Sequence, residues 1–331
     1  MGPTPNSSSD DTQVCRPVAS AAPTRPRVRS RPARRHTAAP TKAEETGTIE
    51  TQVHRTDSGL VYDVRGRGPA TLLLLHGGSA RRQWFDEMSA LLADEVRMVV
   101  PDLPGHGESP ARRGAYRLED SAAAAAEVLD HSGAGRCWVV GHSHGAHVGA
   151  VLAVDRPDLV SGLVVGDAPM SRERMRAHLT ATAAMNRAWR ALTDDHLSDA
   201  AVRDGLLDVE VPTPAASSTL GSLFGRDHPY IREMVTCLRH HDGDFLDAVL
   251  MRFDDTYRRL DDDLLGRLEV PVTMLQADPA AGGLLTDDDV EFVRARVPHV
   301  RVEFLPGVGH GLQSQDPALV ADALRRTVSH R

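Results

Sequence analysis

One stretch constrains this chain more than any other: Val139-Val140-Gly141-His142-Ser143-His144-Gly145-Ala146. An apolar run from Cys137 to Val140 leads into it, and an Ala/Val-rich segment from Ala146 to Val154 leads out. The pattern predicts a buried strand, a very tight turn with Ser143 at its apex, and a helix. Gly141 and Gly145 stand where a side chain would collide with the neighbouring strand and helix. This is the G-x-S-x-G arrangement, which aims a serine hydroxyl away from a sheet. The helix after it points its N-terminal dipole and free N–H groups at the same spot.

A chain of 331 residues suits one large domain, or one with an insertion, and can bury a sizeable core. Its composition is globular, with 41% hydrophobic residues, 25% charged residues and a formal net charge of −8. No apolar run reaches the length of a membrane span. Three scattered cysteines, Cys15, Cys137 and Cys237, make neither a disulfide framework nor a zinc site, and a reducing cytoplasm is the expected setting.

Residues 1–46 differ in character from the rest of the chain. They are rich in Pro, Ser, Ala, Thr and Arg, without apolar periodicity, and read as a disordered, solvated extension. They lack the apolar core of a secretory signal. Order is expected from about Thr48. Ile49–Val53 and Leu60–Val64 alternate as strands. Thr71–Leu75, Arg97–Val100, Cys137–Val140 and Leu159–Val165 are short apolar runs, as found in parallel strands buried on both faces. Helical segments at about Gln83–Leu92, Leu118–His131 and Ala146–Val154 lie between them. This is a β/α rhythm with a parallel sheet.

The rhythm breaks from about Met170 to Arg267 and returns at Val270–Gln276, Thr286–Val297, Val300–Leu305 and Pro317–Val328. The reading is therefore a core formed by residues 47–169 and 268–331, with an all-helical cap inserted at 170–267.

A serine hydroxyl needs a base, an acid and an anion-stabilising pocket before it becomes a nucleophile. His310 is the expected base, because glycines on either side, in Gly309-His310-Gly311, let the loop after the last strand swing the imidazole over the sheet. The oxyanion pocket is expected from two backbone N–H groups. One is that of His144, and the other comes from the loop after Leu75, with Gly78 favoured and Ser79 next. Two aspartates lie just after strands between the serine and the histidine. Asp278, after the penultimate strand, is the slightly favoured acid, and Asp167, after the strand next to the elbow helix, is the alternative. Trp84 and Trp189 are candidates for lining a substrate pocket. The histidines show no helical metal-binding spacing, and there is neither a dinucleotide fingerprint nor a phosphate loop, so no metal or cofactor is expected.

The order Ser…Asp…His, the His76-Gly77 loop, the Asp102-Leu103-Pro104-Gly105-His106-Gly107-Glu108-Ser109 segment and the Gly141–Gly145 elbow resemble the α/β-hydrolase family. The resemblance runs from about residue 48 to the end. It implies an eight-stranded, mostly parallel sheet flanked by helices, with a helical cap over the active site, and it makes the Asp102–Ser109 segment mainly a structural loop. The family commonly places its acid three residues after a glycine that ends the penultimate strand. Here those positions are Ala277 and Ala280.

The expected chemistry is that of a serine hydrolase acting on a carboxylic ester or related acyl bond, such as a thioester or lactone, through an acyl-enzyme. The partner would be a small-molecule acyl substrate, with no nucleic acid and no membrane span. Carbon–carbon bond hydrolysis, cofactor-free peroxidase-type chemistry and a slowly hydrolysing ligand receptor are the alternatives within the same fold.

Overall fold

The strand ends that carry the candidate residues are brought level by a single sheet. A computed structural model describes residues 51–212, 217–261 and 263–329; the predicted extension at residues 1–46 lies outside the described residues. The strands are β1 (Thr51–Arg55), β2 (Val61–Arg65), β3 (Ala70–Leu75), β4 (Val96–Pro101), β5 (Cys137–His142), β6 (Val160–Gly166), β7 (Glu210–Pro212), β8 (Ser217–Thr219), β9 (Val272–Ala277) and β10 (Arg301–Leu305). Eight of them form one sheet in the order β1-β2-β4-β3-β5-β6-β9-β10. Only the β1–β2 and β2–β4 pairings are antiparallel; the rest are parallel.

The continuous apolar runs have a direct cause. Successive strand residues point to opposite faces, and both faces are covered. Leu73 and Leu75 join Val139, Leu163 and Val165 in a core shared with α2 (Leu118–Ser132) and α3 (His144–Asp155). Leu72 and Leu74 join Val140 and Val164 on the opposite face, against α1 (Asp86–Leu92) and the C-terminal helix Pro317–Ser329.

The segment between β6 and β9 carries α4 (Arg172–Ala181), α5 (Ala183–Leu192), α6 (Asp199–Leu207), α7 (Leu220–Phe224), α8 (Pro229–Arg239), α9 (Gly243–Met251) and α10 (Phe253–Thr256). It has a small core of its own around Val202, Leu206, Ile231, Met234 and Leu238. The expectation of an all-helical insertion needs correction, because β7 and β8 pair as a short antiparallel ribbon. Three-residue strands fall below the length at which alternation in a sequence is readable.

The Asp102–Ser109 segment is braced by buried charge. The Arg82 guanidinium donates to Asp63 Oδ1 at 3.0 Å and also pairs with Asp102. The Asp102 carboxylate accepts the N–H groups of Arg82 at 2.8 Å and Glu108 at 2.9 Å. Every oxygen of that carboxylate is thereby engaged, as a fully buried charge requires.

A Cβ on Gly141 would lie 2.3 Å from the Gly145 carbonyl oxygen, and one on Gly145 would lie 2.2 Å from that of Leu75. Both obstacles are backbone, so side-chain rotation offers no relief. Gly145→Ala is expected to lower stability by on the order of 3 kcal/mol in urea unfolding. Gly266→Ala meets nothing within 4 Å and should change it by less than about 0.5 kcal/mol.

Candidate active site

Register aligns the site. Leu75 pairs with Gly141, His142 with Gly166, Gly166 with Leu275, and Leu305 with Ala277. The loops after β3, β5, β6, β9 and β10 therefore leave the sheet at one edge, where open α/β sheets hold their ligands.

Ser143 caps α3 with φ 52° and ψ −120°, a conformation that a residue with a Cβ adopts only when its surroundings impose it. Its N–H donates to Gly166 O at 2.9 Å, and the helix that begins at His144 points its first N–H groups at the same place. Asp167 is also left-handed, with φ 45°, and its N–H donates to Leu275 O at 3.0 Å.

His310 Nδ1–H donates to Asp167 Oδ2 at 2.8 Å. That bond assigns the tautomer, leaving Nε2 as the acceptor of the ring. Asp167 is fully buried and also accepts N–H groups from Leu284 at 2.9 Å, Leu285 at 3.1 Å and Ala277 at 3.3 Å. Burial alone would push this carboxyl up. The hydrogen bond and charge of His310, with the Leu284 and Leu285 N–H groups, outweigh burial and hold it below the usual carboxylate range.

Asp278, the acid slightly favoured by the sequence, does not reach His310. Its Oδ1 accepts Ala280 N–H and its Oδ2 accepts Gly307 N–H, both at 2.9 Å. It is a turn-stapling residue that ties the end of β9 to the loop carrying His310. The histidine loop bends back towards β6, and a Cβ on Gly309 would sit 2.2 Å from Ala281 O. Asp167 therefore lies under the imidazole and Asp278 beside its backbone.

The loop after β3 separates the two further candidates. Ser79 donates its N–H to His106 Nε2 at 3.3 Å, so that group is already engaged. Gly78 is the residue of this pair whose N–H is not committed to that bond. It lines the same cavity as Ser143, His144 and His310.

That cavity holds about 1100 Å³. Trp84 and Trp189 are both in its wall, together with Phe224, Tyr230, Phe245 and Leu246. From α4, α5 and the Thr182 junction between them it takes Met175, His178, Leu179, Thr182, Met185, Asn186 and Trp189, a helical stripe at spacings of three and four.

Four polar residues here were not singled out from the sequence. His142 Nε2–H donates to the His310 carbonyl at 2.7 Å, which anchors the His310 loop to the elbow. His144 Nδ1 and the Tyr257 hydroxyl are 3.3 Å apart. His178 lies on the cavity stripe, and His241 contacts Ser79. Only the position of His142 beside the serine could have flagged one of them; the others reach the site from remote segments. Among the described residues no group of three or more His, Cys, Asp or Glu is arranged to hold a metal ion, and no helix is long and apolar enough to cross a membrane.

Residues 72–323 match the family described as the Alpha/beta hydrolase family. The chain belongs to that family. The chain is 40% identical over 114 residues to a dihydrolipoyllysine-residue acetyltransferase component of an acetoin cleaving system from Cupriavidus necator, covering 32% of this chain and 30% of that one. It is 36% identical over 109 residues to lipase LipV of Mycobacterium tuberculosis, covering 33% and 41%. The chain thus spans less than half the length of these curated relatives. Among solved structures, an esterase from M. tuberculosis superposes with a TM-score of 0.63 at 22% identity, covering 85% of this chain and 92% of that one. A thermophilic esterase from Thermogutta terrifontis superposes with a TM-score of 0.62 at 20% identity, covering 85% and 98%. The fold of this α/β hydrolase is thereby established.

Burial holds several imidazoles of this α/β hydrolase neutral. It pushes His142 and His144 down to about 3, with the neighbouring His310 and His147 adding to the respective shifts. It pushes His147 and His241 to about 4 and lowers His76 and His106 as well. In the unfolded chain each would titrate near 6.5. A base whose folded pKa is depressed binds its proton on unfolding, so its contribution to stability is complete above about pH 7 and is lost as pH falls from about 6.5 towards 4. The urea midpoint is expected to be flat from about pH 8 to 7 and to fall steeply from about pH 6.5 to 4.5, with more than one proton taken up on unfolding. A flat profile down to about pH 5 would contradict this electrostatic account.

Proposed function

We propose that this α/β hydrolase is a serine hydrolase that cleaves a carboxylic ester or related acyl bond, such as a thioester or lactone. The observation that carries the reading is the 2.8 Å bond from His310 Nδ1–H to Asp167 Oδ2, in a cavity that also holds Ser143 at the apex of its strained turn.

His310 Nε2 takes the hydroxyl proton as Ser143 Oγ attacks the acyl carbon, and the carbonyl π electrons move to the oxygen. The N–H groups of Gly78 and His144 hold that oxyanion. Asp167 stays ionised and stabilises the imidazolium. When the tetrahedral intermediate collapses, the bond to the leaving group breaks and His310 gives that group its proton. A water deprotonated by His310 then attacks the acyl-enzyme, releasing the acid and restoring Ser143.

Residues 170–267 act as a cap over a core of residues 47–169 and 268–331. The apolar wall from α4 and α5, with Trp84 and Trp189, receives the acyl or alcohol part of a small organic substrate. The name of one relative, lipase LipV, agrees with acyl chemistry. A serine at the elbow supports it further. Fold members that open carbon–halogen bonds or epoxides require a carboxylate nucleophile, because their ester intermediate must be reopened at its own carbonyl.

A fluorophosphonate should label Ser143, and Ser143→Ala should abolish both labelling and turnover of short p-nitrophenyl esters. Surviving turnover would reject the reading. Asp167→Asn should lower kcat about 10⁴-fold, while Asp278→Asn should stay within about threefold in the same assay. The opposite ranking would return the acid's role to Asp278.

A further inference from the structure

The proposed mechanism uses the Gly78 N–H but leaves unexplained what holds that loop in place. Ser79, next in the chain, is buried and left-handed with φ 58°. Its N–H and its hydroxyl are each held by a histidine. On the core side its N–H donates to His106 Nε2 at 3.3 Å, and His106 Nδ1–H donates to Pro104 O at 2.9 Å, so the acceptor nitrogen is fixed by the tautomer. On the side of the insertion, Ser79 Oγ and His241 Nε2 share a hydrogen bond of 2.9 Å.

His241 lies just ahead of α9 and is itself pinned. It bridges His106 through the backbone, and the two rings pack with centroids 4.4 Å apart. The next residue, Asp242, donates its N–H to Gly105 O at 2.8 Å and accepts the Tyr116 hydroxyl at 2.6 Å. From the same helix Phe245 sits 3.4 Å from where a Gly78 Cβ would be, closing that side of the loop. A single buried hydrogen bond thus joins the inserted segment to the residue beside the proposed oxyanion donor.

We infer that Ser79 and His241 are a positioning pair through which the segment between β6 and β9 sets the direction of the Gly78 N–H. The inference rests on the serine-hydrolase reading. A donor must sit where the oxyanion forms rather than where the ground-state carbonyl lies, and small misplacements of such groups cost rate out of proportion to their size. The pair touches no reacting atom. Its effect falls on the transition state and leaves ground-state binding alone.

His241→Phe keeps a ring against His106 and Phe245 but removes Nε2; Ser79→Ala removes Oγ. Each should lower kcat for a short p-nitrophenyl ester about tenfold, with KM unchanged within about twofold. Each should weaken an arylboronic acid, which forms a tetrahedral adduct, by a similar factor while the carboxylate product binds as before. The double variant should be no worse than either single one, since both remove the same bond, and His241→Gln should recover part of the loss. Simple loosening of the fold would not split the two inhibitors in this way. Wild-type kcat in folded His241→Phe, or additive losses in the double variant, would overturn the inference, and Ser79→Ala decides it if His241→Phe does not fold. Failure of the serine-hydrolase reading looks different, because Ser143→Ala would then remain active.

Discussion

The closeness of three backbones at the elbow underlies everything else in this molecule. The end of β3, the end of β5 and the first turn of α3 approach so tightly that neither Gly141 nor Gly145 has room for a Cβ. That contact lets the chain reverse within one residue and puts Ser143 in a left-handed conformation that a serine does not choose unaided. The sheet beneath holds the strain. Leu72 to Leu75 are buried on both faces, and the parallel register from β3 through β10 leaves the turn no alternative place to relax.

From this contact the site is assembled by neighbouring strand ends. The serine comes after β5, the buried aspartate after β6 and the histidine loop after β10, with backbone bonds such as Ser143 N–H to Gly166 O and Asp167 N–H to Leu275 O keeping them level. Asp167 can stay ionised without solvent because four donors meet its two oxygens. The surrounding histidines play a different part. His76, His106, His142, His144 and His241 are buried and uncharged, and they act as directional hydrogen-bonding struts that add no charge next to His310.

The segment between β6 and β9 contributes to the cavity and to the loops beside Ser143. Its α4 and α5 stripe supplies part of the apolar wall, and residues 241 and 242 contact the loops beside the serine. Arg81, two residues beyond Ser79, makes a bidentate pair with Glu233 on α8 at 2.7 and 2.9 Å. The wall of the cavity and the loops beside Ser143 are therefore built on shared contacts.

Much of this was legible in the residues. The buried strands are continuous apolar runs because both their faces are covered. The elbow is a local pattern whose glycines answer to steric contact, and His310 stands out through its flanking glycines. These features are short in range, so the sequence by itself determined the fold class and singled out Ser143 and His310, which share one cavity. The aspartate partner of His310 was different. Asp167 and Asp278 both come just after a buried strand, on β6 and its immediate neighbour β9, and locally they look alike. The course of the loop after β10, over Ala281 and back towards β6, set the imidazole on Asp167 and left Asp278 stapling Gly307. The same holds for His178, His241 and Tyr257, which enter the site from a segment with no motif. Which polar groups meet across the sheet's edge depends on the packing of segments distant along the chain, and only the tertiary structure decided it.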